Sequence, residues 1–149
     1  MAGKAGVKMS MKLEICPESG FLRVAATGEF SLEEARRTFL EMLEAVALHK
    51  VGKVLFDGRG LAGEPEMMER FYYGSFAARE IAESMRRGSL SGPTQIGYVL
   101  EEPILDPQKF GENVAVNRGM FIKVFDNLPD ALGWLGILSA NKPDAGDGK

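Results

Sequence analysis

Val54-Leu55-Phe56 is three apolar residues in succession, closed by Asp57. Successive side chains of a strand point to opposite faces, so this run needs cover on both sides. A strand of that kind sits centrally in a sheet, with parallel neighbours and helices packed on it. The flanking segments fit that demand. Met11 to Cys16 alternates Lys12 and Glu14 with Leu13 and Ile15, as a half-buried strand does. Pro17-Glu18-Ser19-Gly20 supplies a turn, and Phe21 to Thr27 resumes the alternation, so the two strands form an antiparallel hairpin. Ser31 precedes Glu34 by three residues, a capping-box spacing, and predicts a helix to about His49, with Gly52 just beyond. After the apolar run, Pro65 opens a long helix that ends near Arg86-Arg87, before Gly88. Its expected core stripe is Met68, Phe71, Ala78, Ile81 and Met85. Ile96 to Leu100 is the next strand, Asp106-Pro107 opens a third helix closed by Gly119, and Phe121 to Phe125 is a fifth strand. Pro129 opens a last helix holding Leu132, Trp134 and Leu135. The order ββαβαβαβα predicts an α/β layer fold: a five-stranded, mostly parallel sheet with four helices.

Charge and rare residues exclude several functions. Lys and Arg number 18 against 21 Asp and Glu, a net charge of -3, which argues against a general binder of nucleic acid. One Cys and one His exclude a disulfide framework and are too few for a Cys/His zinc cluster. No metal and no cofactor is therefore expected. No apolar run approaches the length of a spanning helix, so stable membrane insertion is not expected. Residues 1–10 and 139–149 are small and polar and are expected to be disordered tails around one domain, 11–138. A lone Cys16 without a partner fits a reducing, cytoplasmic setting.

Three stretches carry a family resemblance. Lys53-Val54-Leu55-Phe56-Asp57-Gly58-Arg59 with Gly63 is similar to the strand and Asp-x-Arg loop of SpoIIAA-like proteins, which have the STAS fold of the SpoIIAA anti-sigma-factor antagonists. Phe110-Gly111-Glu112-Asn113-Val114-Ala115-Val116-Asn117-Arg118-Gly119 resembles their third helix and its cap. Val124-Phe125 with Ala131-Leu132-Gly133-Trp134-Leu135 resembles their terminal strand and helix. The resemblance implies a bacterial-type domain that works by binding a protein partner, with no catalytic residues to carry over, so no enzyme is expected. Relatives of the SpoIIAA type carry a phosphorylatable Ser directly after an Asp near the second helix. Here Gly58 follows Asp57, and residues 58–65 hold no Ser or Thr, so that switch is not expected. SpoIIAA-like proteins are also akin to CRAL-TRIO lipid-binding domains, which implies, as an alternative, a carrier or sensor of a small apolar ligand or lipid.

Several residues are candidates for binding. Gly58-Arg59-Gly60-Leu61-Ala62-Gly63 spells a dinucleotide fingerprint, but it follows the third strand, and Glu64 and Glu66 stand where a pyrophosphate would sit. It reads better as a strand-to-helix turn. Asp57 and Arg59 flank the carboxyl end of a central strand, where they could shape a partner surface or tie down the turn. Tyr72, Tyr73 and Phe76, with Met67 beside them, widen the apolar face of the second helix. Such a face is either packed inside the domain or buried against a second copy or an apolar ligand, and a homodimer is the expected assembly. A ligand cavity would draw on residues such as Phe39, Met68, Phe71 and Phe121. Arg118 either presents its charge to an anion or closes the third helix with Gly119.

Overall fold

A computed structural model describes residues 9–137. β1 (Lys12–Glu18) and β2 (Phe21–Glu29) form the antiparallel hairpin. Its turn is only Ser19-Gly20, with Gly20 at φ 86°. Pro17 and Glu18, expected in the turn, close β1 instead; an edge strand tolerates a proline. Residues 9 and 10, assigned to a tail above, lie beside β2, where the Glu29 N–H donates to the Met9 carbonyl at 2.9 Å. Residues 1–8 and 139–149 of the expected tails, and Leu138 at the expected end of the domain, lie outside the described residues.

Ser31 caps α1 (Leu32–His49) by accepting from the Glu34 N–H at 3.2 Å. The expected reciprocal half of the capping box is replaced. The Glu34 carboxylate accepts from the Met11 N–H at 2.6 Å, and Arg37 donates to the Met11 carbonyl at 2.9 Å. Met11 is thereby pinned to the start of α1. The helix ends at His49, as expected, and is capped by Lys50 in the left-handed conformation at φ 55°, with Gly52 beyond it.

β3 (Lys53–Ala62) is the main departure from the sequence reading. The supposed glycine-rich turn is strand: Gly60 pairs with Thr27 and Leu61 with Gly28, beyond an irregularity in which β3 carries one extra residue between Asp57 and Gly60. Glycine is needed there for close approach, since a Cβ on Gly60 would lie 2.8 Å from the Thr27 methyl group. With its glycines in a paired strand, the segment has no phosphate-binding turn. α2 (Met67–Arg86) starts two residues after the buried Pro65, on a Glu66/Glu69 capping box. Its buried residues are Gly74, Ala77, Ala78, Ile81 and Ser84, whereas Met68 and Met85, placed in the core stripe by sequence, are exposed. Ala78 and Ile81 of the expected stripe are buried, but the rest of the contact is made by the small residues Gly74, Ala77 and Ser84 in place of the bulky Met68 and Met85.

β4 (Gln95–Val99), α3 (Phe110–Asn117), β5 (Phe121–Phe125) and α4 (Leu128–Leu135) complete the fold. α3 begins four residues later than Asp106 because that carboxylate caps the preceding turn, accepting from Gln108 N–H at 3.0 Å and Phe110 N–H at 2.8 Å. The sheet order is β1-β2-β3-β4-β5, with β2 to β5 parallel. Three right-handed crossovers stepping the same way put α1, α2 and α3 on one face. α4 covers the other. The apolar run of β3 divides as its pattern demands: Val54 and Phe56 join the α1–α3 core, and Leu55 packs with Phe21, Val99, Leu132 and Leu135 under α4. Among the described residues no helix is long and apolar enough to cross a membrane.

Candidate functional site

A cavity of about 130 Å³ lies between the carboxyl ends of β3 to β5 and the helices α2 and α3. This is the end of a parallel sheet where ligands commonly bind. Phe56, Leu61, Tyr98, Ile122 and Val124 form its sheet wall, and Tyr73, Gly74, Ala77 and Ala115 its helix wall. Met11, held by Glu34 and Arg37, closes one side. Polar groups enter at few points. The Tyr73 and Tyr98 hydroxyls share a hydrogen bond of 3.1 Å. Arg70 donates to the carbonyls of Ile104 at 2.7 Å and Pro103 at 2.9 Å, fixing the loop that leads to α3. Lys109 donates to the Val124 carbonyl at 3.2 Å. Glu112 also lines the cavity, with its Oε1 buried and in no hydrogen bond to the protein.

None of Phe39, Met68, Phe71 and Phe121, the lining expected from sequence, lines this cavity. Phe39 is buried in the core beneath α2, and Met68 and Phe121 are exposed. The lining residues that sequence reasoning missed are Arg70, Tyr98, Asp106, Lys109 and Glu112. One signal was available for Glu112: it stands three positions before Ala115, on the buried face of a mostly apolar helix.

The seven candidate binding residues separate into distinct places. Asp57, two residues after Leu55, is on the side of the sheet away from α1–α3, and Arg59 bonds back to it. They form a two-point ion pair: Arg59 Nε donates to Asp57 Oδ1 at 2.9 Å and a terminal nitrogen donates to Oδ2 at 2.8 Å. The Arg59 hydrogen bond outweighs desolvation and holds the Asp57 carboxyl below the usual aspartate value. Tyr73 turns its hydroxyl inward to Tyr98, and its side chain is half-buried. Its ring meets Phe39 edge-on at 5.9 Å, and Phe76 meets the same ring at 6.3 Å. Phe76 is half-buried, with the guanidinium groups of Arg36 and Arg79 each 5.6 Å from its centroid. Met67 and Tyr72 point outward, 65% and 45% exposed. Tyr72 packs edge-on against Phe71 at 5.6 Å, and the Arg118 guanidinium covers Phe71 at 5.7 Å. Gly119, at φ 99°, follows the end of α3, as its capping role requires. The structure thus brings Tyr72 and Arg118 together around Phe71 and leaves Asp57 and Arg59 apart from them.

Burial raises the pKa of Tyr73 to about 12, against a partial offset from the Tyr98 hydrogen bond, and raises that of Tyr98 well above 10.0. The stability effect has a definite sign. In the unfolded chain these phenols lose protons near pH 10, while the folded chain retains them. Their contribution is fully present below that pH and is lost as the pH rises through about 12. Alkaline unfolding is therefore expected between these values, with phenolate absorbance of the two tyrosines rising together with loss of circular dichroism. Full ionisation of all three tyrosines in a chain that remains folded at pH 11 would contradict this, about one unit below the Tyr73 value.

No family model matches the chain, and no curated protein matches its sequence. Solved structures do match. The crystal structure of an anti-sigma factor antagonist from Mycobacterium paratuberculosis is similar at a TM-score of 0.54 and 15% identity, covering 85% of this chain and 95% of that one. An uncharacterised protein with a SpoIIAA-like fold from Shewanella loihica matches at a TM-score of 0.47 and 16% identity, covering 87% of this chain and 96% of that one. The chain has a SpoIIAA-like, STAS-type fold, as the resemblance in its sequence implied.

Proposed function

From a SpoIIAA-like fold as premise, we propose that this chain is a non-catalytic regulatory domain that acts through protein contacts and associates with itself. The observation that carries this reading is the outward strip on the first turns of α2. Met67, Met68 and Tyr72 are 65%, 51% and 45% exposed and lie around Phe71. Methionine and aromatic side chains are enriched in interfaces, and Arg118 supplies a charged rim. Asp57 is engaged by Arg59 and Asp106 by backbone amides. Phosphorylation at the end of β3 has no part in this reading, since residues 58–65 hold no hydroxyl side chain.

The test is the mass in solution of the wild type and of a Met67→Glu, Tyr72→Glu double variant. A dimer is expected for the wild type and a monomer for the variant, with little change in melting temperature because both side chains are exposed. A wild type that stays monomeric at high concentration would remove self-association. Tyr73 and Phe76 are unsuitable for this test, since a charge at either would enter the core around Phe39.

The cavity supports a second reading, in which the domain senses a small apolar ligand. One turn of α2 serves both: Arg70, Tyr73 and Gly74 face the cavity, while Tyr72 faces outward beside Phe71. At about 130 Å³ the cavity is well below the size of drug-sized ligand pockets, and a ring-sized molecule fits it better than a whole lipid.

A further inference from the structure

We infer that the ligand of this cavity is a compact apolar amine, held by its ring or branched body against the aromatic walls and by its ammonium group on Glu112. This rests on the second reading above and adds the chemical class. Size limits the body: an apolar cavity of about 150 Å³ takes up benzene, and this one is about 130 Å³. Phe56, Leu61, Ala77, Ile122 and Val124 offer only apolar surface to it.

The polar end follows from which charged groups remain unused. Both bonded Arg70 nitrogens are spent on the carbonyls of Pro103 and Ile104. The Asp106 oxygens accept from Gln108 and Phe110. Lys109 donates to Val124 and forms a long ion pair with Glu112 Oε1 at 3.9 Å, which supplies opposite charge but no hydrogen bond. The tyrosine hydroxyls bond each other. Of the buried side-chain atoms that lack a hydrogen bond among the described residues, those of Arg36, Ser75 and Glu112, only Glu112 Oε1 belongs to a residue lining the cavity, on a side chain 12% exposed. A buried acceptor without a donor is costly, and a carboxylate is best satisfied by a cationic donor. A carboxylate ligand would meet Glu112 with like charge, and a hydrocarbon would leave its oxygen unsatisfied.

Titrations of the full chain with toluene, benzylamine and benzoate, followed by backbone amide NMR, separate the possibilities. Benzylamine is expected to shift the amides of α3 around Glu112 and those of Tyr73 and Tyr98. It is expected to bind about tenfold tighter than toluene, the gain of one charge-assisted hydrogen bond. Benzoate is expected not to bind. In a Glu112→Gln variant, which keeps the side-chain shape, the tenfold advantage should vanish while toluene binds as before. Benzylamine binding no tighter than toluene in the wild type, or an advantage that survives in Glu112→Gln, overturns the amine assignment and leaves the apolar-ligand reading standing. Failure of toluene and benzylamine alike overturns both.

Discussion

Replacing Phe39 with Ala is expected to lower the unfolding free energy by about 3–5 kcal/mol, the range for loss of a buried aromatic ring. Phe39 is 2% exposed and meets Tyr73 and Phe76 edge-on, so its removal opens a void beneath α2 and loosens both aromatics. The void adjoins the wall that carries the Tyr73–Tyr98 bond, which hinders collapse of the surroundings into it. Denaturant unfolding should show a lower midpoint with an unchanged slope. Leu48→Ala on the same helix is the control: Leu48 is 74% exposed, and a change within about 0.5 kcal/mol is expected. Similar losses for the two variants would show that Phe39 is not the support of α2 described here.

The second large effect is expected at Gly28. Its φ is +108°, a region that side-chain-bearing residues rarely adopt. A Cβ there would strike the Ser10 carbonyl oxygen and come within 2.9 Å of the Met11 Cα. Both obstacles are backbone and cannot rotate away. Gly28→Ala is expected to cost about 2–5 kcal/mol from backbone strain and overpacking together. The outcome is local as well as global. The segment at residues 9–11 should be pushed off β2, breaking the Glu29–Met9 bond and weakening the hold of Glu34 and Arg37 on Met11. Hydrogen exchange at the Glu29 amide should accelerate well beyond the change in global stability. An unaltered exchange rate there, with stability intact, would contradict the steric account.

The architecture was legible where one local rule acted alone. The alternation in β1 and β2, the Ser31 cap and the unbroken run at Val54-Leu55-Phe56 each predicted their element correctly. Sequence reasoning failed where long-range contact overrode a local signal. Gly58 and Gly60 signal a turn, yet pairing with the end of β2 makes them strand. Met68 and Met85 signal a buried stripe, yet α2 approaches through Gly74, Ala77 and Ser84. The cavity was hidden for the same reason. Its polar residues come from α1, α2, β4, α3 and the loop between the last two, and no spacing along the chain announces that Glu112, Tyr73 and Tyr98 line one cavity. Asp57 and Arg59 were correctly seen as neighbours, but Asp57, two residues after Leu55, lies on the opposite side of the sheet from the aromatics of α2 and holds Arg59 there.

The strand order has a consequence for how the chain folds. Because β1 to β5 lie in the sheet in the order in which they are made, each new strand docks on the edge left by the one before. Loops to be closed stay short, which favours fast folding and allows growth from the amino end during synthesis. That growth completes only one side. Phe21, Leu55 and Val99 stay uncovered until Leu132 and Leu135 arrive with the final helix. A nascent chain that has not yet released α4 therefore carries a sticky sheet face, and the last helix acts as the latch that makes the molecule safe from aggregation.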